Sequence, residues 1–418
     1  MEDLNRGRLL ERFLRYVKVD TTASANSTTY PSTPGQRNLG KIVLEELLTM
    51  GASNAELDEH GILTATLPSN VGADAPVVAF NSHFDTSPET TGKDVRPQVI
   101  ENYGGGDIPL SGDPSKCIKV SECPELDAVV GDTLITTDGT TLLGGDDKAG
   151  IAIIMETANF LLENPSYPHG EIKLLFTCDE EIGHGIDHVD VAEINASACY
   201  TLDGGGKGIV DVETFSADAA VVTVDGVNIH PSIGKDRMVN ALRAACELVS
   251  RLPMSQSPER TDGREGFLHP YVIGGGVDKV TIDILLRSFD THELTLFAEQ
   301  LNTVALDVQA NHPGSKISVD ILRQYRNLAD GLRQDPRVVE FAIQAHKNLN
   351  LDVETAIIRG GTDGSGLTEK GLPTPNLSSG QHNIHSPLEW ASLNEMLQAC
   401  RVVIELVAIW AKETEKNS

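Results

Sequence analysis

Basic residues are scarce in this chain. Lys and Arg number 33 against 61 Asp and Glu, a formal charge of −28 over 418 residues. Nucleic acid recognition needs clustered Lys and Arg to neutralise phosphates, and an anionic membrane surface asks for the same. Neither is expected as a partner. Long apolar runs are also missing, since none approaches the ~20 residues that a membrane helix needs. Paired cysteines are missing too. Cys117, Cys123, Cys178, Cys199, Cys246 and Cys400 are scattered with no C-x-x-C among them, which argues against a disulfide framework or a structural zinc knot. The opening segment, MEDLNRGRLLERFLRYVKVD, reads as an amphipathic charged helix without the apolar core of a signal peptide. There is no internal repeat and no long low-complexity tract. These absences point to the cytoplasm.

What is present suits a large globular protein. The chain is 40% hydrophobic and 22% charged, and its length allows two or three domains at roughly 100–200 residues each. The Ser-, Thr- and Pro-rich stretch 21–36 reads as a loop between two helices, the second of which closes at Gly51. Apolar runs at 76–80 (PVVAF), 133–136 (TLIT), 172–177 (IKLLFT) and 199–202 (CYTL) read as strands. Between the second and third lies DKAGIAIIMETANFLLEN, whose apolar positions form one helical stripe. Strands alternating with helices predict an α/β layer. Near residue 214 the texture changes to a strand, helix, strand, helix, strand block. The expected architecture is a discontinuous outer domain, 1–213 and 327–418, built on a central mixed sheet flanked by helices. A smaller α+β domain, 214–326, is inserted as a lid.

The ends of the outer-domain strands carry the chemistry. PVVAF runs into NSHFDTS, TLIT into LLGGDDKAG, IKLLFT into CDEEIG and CYTL into DGGG. Strand carboxyl ends form the ligand crevice of open α/β sheets. Here they bring His83, Asp85, Asp146, Asp147, Glu180, Glu181 and Asp203 to one rim. So many acids would repel one another unless a cation held them, and carboxylate oxygen and imidazole nitrogen are both good zinc ligands. In HFD, residues i and i+2 share one side of an extended segment. Asp85 is thus placed to accept from the His83 ring nitrogen that faces away from a metal. Of the adjacent glutamates, one can bind metal while the other is free for proton transfer.

NSHFDTSPETTGKDVRPQVIENYGGGDI, TLLGGDDKAGIA, FTCDEEIG, YTLDGGG, GVNIHP, IIRGGTDGSGLTEKGLPTPNL and HNIHSPLEW, in this order over nearly the whole chain, resemble the dinuclear zinc metallopeptidase family. That family includes carboxypeptidase G, aminoacylase and succinyl-diaminopimelate desuccinylase, and the likeness is to its tripeptide aminopeptidases. The resemblance implies two zinc ions per subunit. Asp146 would bridge them, with His83 and Asp203 completing one site and Glu181 and His385 the other. It makes Glu180 the general base and Asp85 the partner of His83, and leaves Asp147 and Lys148 to helix capping and packing. His382, a nearby imidazole, is the rival to His385 as ligand.

The resemblance also gives His230, in the inserted block, a donor role toward the tetrahedral oxyanion. Arg287 and Asn240 match lid positions that hold a substrate carboxylate. The run RGGTDG, with Arg359, Gly360, Gly361 and Thr362, would bring backbone close to the ligand. It lacks the ending of a phosphate loop. The activity implied is release of the amino-terminal residue from short peptides, with a homodimer through the lid left open. A dipeptidase, a carboxypeptidase or an N-acyl amino acid hydrolase would fit the same framework. A peptide-binding relative without catalysis would have no chemical need for Glu180.

Overall fold

A computed structural model describes residues 4–72 and 74–413. The first three residues of the expected opening helix lie outside that range; the helix itself spans Arg6–Tyr16. The chain divides into two compact units. One comprises the residues up to Val212, Gly331–Ala356 and those from Thr362 onward. The other comprises Glu213–Asp330 together with Ile357–Gly361.

The first unit is built on an eleven-stranded mixed sheet. At its centre Val78–His83 pairs in parallel with Ile172–Thr177 on one side and with Ala198–Gly205 on the other. Asn376–His382 continues the sheet, parallel to Ala198–Gly205, and Trp390–Ser392 follows antiparallel. Four strand carboxyl ends thus lie side by side. The strand expected at 76–80 actually runs on through Asn81, Ser82 and His83, all buried. Its ladder with Ile172–Thr177 extends to the pair His83 and Thr177, so polar residues finish a strand that its apolar half begins.

Gly145–Glu163 is the central helix, and it is buried almost all round rather than along one stripe. It shares a core with Leu393–Trp410, Arg6–Tyr16 and the inner strands, and a helix enclosed on all sides carries apolar residues on all sides. The close approach to the sheet occurs at Gly150. A Cβ there would stand 2.3 Å from the carbonyl oxygen of Leu202, so only glycine lets the helix start lie this near the strand that carries Asp203. Among the described residues no helix is long and apolar enough to cross a membrane.

The second unit is a four-stranded antiparallel sheet in the order Phe267–Gly275, Lys279–Ser288, Ser216–Asp225, Lys316–Arg323. Along Lys279–Ser288 burial alternates residue by residue, as a sheet with one packed face requires. Ala241–Arg251 and Thr291–Asn311 cover that face with Ala244, Leu248, Phe297 and Leu301. One assignment is corrected here. The short segment 357–361, expected in the outer domain, groups with the second unit. The amide of Phe215 is within hydrogen-bond reach of the Ile358 and Gly360 carbonyls, and Arg359 Nη1 donates to Gly263 O at 2.7 Å.

Candidate metal and catalytic centre

The first unit gathers the five expected ligands and Glu180 at the rim of its sheet. His83 ends its strand, Asp203 sits in Ala198–Gly205, and Glu180 and Glu181 form the turn after Ile172–Thr177. Asp146 stands at the mouth of the central helix, before its φ/ψ become helical. His385 follows Asn376–His382. His83 Nε2 lies 3.0 Å from Asp146 Oδ1 and 3.9 Å from Asp203 Oδ1. On the other side of Asp146, His385 Nε2 lies 3.2 Å from Oδ2 and 3.0 Å from Glu181 Oε2. The two oxygens of one carboxylate thus face two separate imidazoles, each with a further acid beside it. Glu180 Oε2 is 4.0 Å from His83 Nε2.

Electrostatics show how crowded this centre is. Burial pushes Glu180 and Asp203 well above the usual carboxylate range, and Glu181 up to about 7. Burial would raise Asp146 too, but hydrogen bonds from His385 and His83 hold it low. The same contacts work in reverse on the imidazoles. Burial lowers His385, yet Asp146 and Glu181 outweigh it and lift it to about 11. Burial thus disfavours charge on several of these acids, while the same acids favour charge on the imidazoles that face them. Glu181 Oε1 is buried with no hydrogen-bond partner, a carboxylate oxygen that a cation would satisfy. His83, Asp146 and Glu181 offer ligand atoms within 4.8 Å of one another, as do His83, Asp147 and Asp203. The donor set suits divalent metal.

The supporting contacts explain why the chain folds this way locally. Asp85 Oδ1 is 3.3 Å from His83 Nδ1, and its carboxylate accepts from the amides of Glu180 at 3.1 Å and Glu181 at 3.0 Å. His83 Nδ1 also reaches the Asp85 backbone carbonyl at 3.1 Å, so this one residue orients an imidazole and both glutamates. Asp179, just before them, is taken up by Ser32 and Gln36. Asp147 turns away from Asp146: its Oδ2 accepts from Ser82 Oγ and from the His83 amide. Buried Lys148, its pKa drawn down to about 8 by burial, donates from Nζ to Val19 O. His382 is committed elsewhere. Its Nε2 pairs with Glu395 at 2.7 Å and its ring stacks on Trp390.

Several groups escaped the sequence reading. Glu389 Oε2 accepts from the amides of Leu143 and Gly144, at 2.7 and 2.8 Å, and Oε1 from that of Asp146 at 3.2 Å. Asn376 and Gln381 hold Asp203, the first through its amide and the second through its carbonyl and carboxylate. Asp363, buried with its pKa raised to about 6 mainly by desolvation, accepts from Thr177 Oγ1. Glu389 and Asp363 do lie in HNIHSPLEW and RGGTDG. A carboxylate in a glycine- or proline-marked loop was the available signal.

His230, Asn240, Arg287, Arg359, Gly360 and Gly361 belong to the second unit and Thr362 to the first. Asn240 Oδ1 caps the helix Ala241–Arg251 by accepting from Leu242 N. Arg287 Nη1 donates to Asp218 O and Leu286 O. Arg359 spends its guanidinium on the loop 261–265 and the ring of Phe215. A Cβ on Gly361 would come within 2.4 Å of the Tyr325 ring, so only glycine fits against that ring. Thr362 caps the helix Asp363–Glu369.

The fold and the centre's histidine and carboxylate donors are compatible with a metal-dependent hydrolase. Residues 130–408 match Peptidase family M20/M25/M40, and the chain belongs to that family. It is 42% identical over 398 residues to peptidase T of Bacillus subtilis, covering 95% of this chain and 97% of that one. Among solved structures, a tripeptidase from Staphylococcus aureus has the same fold, with a TM-score of 0.77 at 23% identity over 98% of this chain and all of that one. A dinuclear metal-binding M20 peptidase from Bacillus subtilis matches at a TM-score of 0.65 and 15% identity, over 97% of this chain and 98% of the other.

Proposed function

We propose that this protein is a dinuclear zinc aminopeptidase that removes the amino-terminal residue of short peptides, chiefly tripeptides. The observation that carries the reading is the placement of Asp146, whose two oxygens face His83 and His385. The full-length similarity to peptidase T supports the substrate class. His83 and Asp203 would hold one ion and Glu181 and His385 the other, with Asp146 shared. When bound, two zinc ions supply Lewis acidity, which acidifies water and polarises a carbonyl.

The chain's own residues do the rest. Glu180, tethered through its amide to Asp85, takes a proton from the attacking water and returns one to the leaving amine. Asp85 keeps the His83 tautomer that presents Nε2. His230 Nδ1 sits 2.7 Å from Ser232 Oγ and accepts from the Ser232 amide at 3.3 Å. Its proton then belongs on Nε2, the form that donates to an oxyanion. Arg287 and Asn240 are assigned to the substrate carboxylate, and Arg359, Gly360, Gly361 and Thr362 to the substrate, on the resemblance. The second unit is taken as a lid and dimerisation domain, and six free thiols suit the cytoplasm.

The test is Glu180→Gln assayed on free and amino-blocked di-, tri- and tetrapeptides, with metal content measured alongside. The rate on free tripeptides should fall on the order of 10²–10⁴-fold, as for loss of a general base, while two metals per chain remain. Near wild-type turnover by the variant, or equal cleavage of amino-blocked peptides by the wild type, would refute the reading.

A further inference from the structure

The two candidate metal-binding histidines are supported differently. His83 is buried, and its Nδ1 faces buried Asp85. His385 is 30% exposed, and its Nδ1 lies 3.1 Å from Oε2 of Glu89, a residue inside the run NSHFDTSPETTG that was given no role in the expected site. Thr90 adds a second anchor, its hydroxyl donating to the His385 carbonyl at 2.8 Å. These anchors matter because His385 sits at φ 61°, a left-handed conformation that a residue with a Cβ adopts only when its surroundings hold it there. Glu89 and Thr90 belong to the stretch that follows Val78–His83. One segment, 83–90, therefore carries the first histidine, its ring partner and the ring partner of the second histidine.

We propose that Glu89 is a positioning residue for His385: it accepts the Nδ1–H hydrogen bond, fixes the tautomer with Nε2 unprotonated, and thereby sets the affinity of the ion shared by His385, Glu181 and Asp146. The chemistry requires such a partner. A neutral imidazole ligates through one nitrogen only when its proton rests on the other, and an acceptor at that second nitrogen also raises ligand basicity. Glu89 meets the requirement without a role in the core. Its side chain is 70% exposed, so truncating it empties no packed volume and the fold should tolerate it. This inference rests on the dinuclear reading above.

The experiment is a titration of metal-stripped wild type, Glu89→Ala and Glu89→Gln with Co²⁺, followed by visible absorption and by competition with a zinc chelator. Wild type should take up two ions. Glu89→Ala should bind one with wild-type affinity and the other about 10–100-fold more weakly, the range typical for loss of a ligand's hydrogen-bond partner. Glu89→Gln keeps an acceptor oxygen and should recover most of that loss, with thermal unfolding the same in all three proteins. Two wild-type affinities in Glu89→Ala would overturn the proposal. So would a Gln variant as weak as the Ala variant. If both ions bind normally but KM rises only for peptides with a free amino end, Glu89 reads the substrate ammonium instead, and the positioning role falls. A wild type that takes up fewer than two ions would count against the dinuclear reading itself.

Discussion

Glu389 shows how much a single side chain can hold. Three consecutive-turn amides, those of Leu143, Gly144 and Asp146, all end on its carboxylate, and the residue is 1% exposed. With that carboxylate removed, these buried donors have no acceptor, and an unsatisfied buried donor costs about 1–3 kcal/mol. Glu389→Ala should therefore lose at least about 2 kcal/mol in urea unfolding, with the metal-free proteins compared. Glu389→Gln, which keeps one acceptor oxygen but aims an NH₂ at the remaining donors, should recover part of the loss. Equal stability of Glu389→Ala and wild type would show that the turn holds itself.

At the level of elements, the strand Ile209–Thr214 carries a buried acid that works against stability. Burial lifts Asp211 to about 6, despite a 3.0 Å hydrogen bond from Asn376 Nδ2. Its unfolded value is about 3.9, so the folded state prefers the protonated acid. The contribution is therefore most favourable below about pH 4, and it is lost as pH rises through about 6. Asp211→Asn can accept the same hydrogen bond without the charge. It should be more stable than wild type by up to about 3 kcal/mol at pH 7, two units at 1.36 kcal/mol each, and the gap should close toward pH 4. A gap independent of pH in urea titrations would contradict this.

The same scale explains what the sequence reveals and what it hides. Ile172–Thr177 is readable to the residue because apolar side chains dominate its length. Asn376–His382, NLSSGQH, is not, although it lies inside the sheet. Its polar side chains through Gln381 are buried and bond to neighbours: Ser379 donates to Gly204 O and Gln381 Nε2 to Asp203 O. A hydrophobic pattern cannot register a strand held by such bonds. The ring of acids at the strand ends was readable for the opposite reason, since carboxylates next to apolar runs stand out. Glu89 and Glu389 were hidden because their partners lie 296 and 243–246 residues away.

Across the whole molecule, the charge of −28 sets a long-range term that no single contact describes. Excess like charge destabilises a compact state by self-repulsion. Raising ionic strength from ~0.01 to ~0.15 M shortens the screening length from ~30 to ~8 Å. The thermal midpoint should rise by a few degrees over that range in sodium chloride. A midpoint that fell or stayed level would mean that attractive surface pairs, not net repulsion, dominate.

The return segment Ile357–Gly361 bears on how such a protein can be rearranged. Because Arg359 hydrogen-bonds to Thr261, Gly263 and Glu265, and Gly361 packs under Tyr325, the second unit is encoded in two separate stretches. Cutting out Glu213–Asp330 would leave behind a pentapeptide fitted to surfaces that had gone with the excised piece. Such a module cannot be traded between genes as one contiguous cassette: a recombinant that swaps it must exchange both stretches together, and a crossover falling between them yields a hybrid mismatched at Arg359 and Gly361.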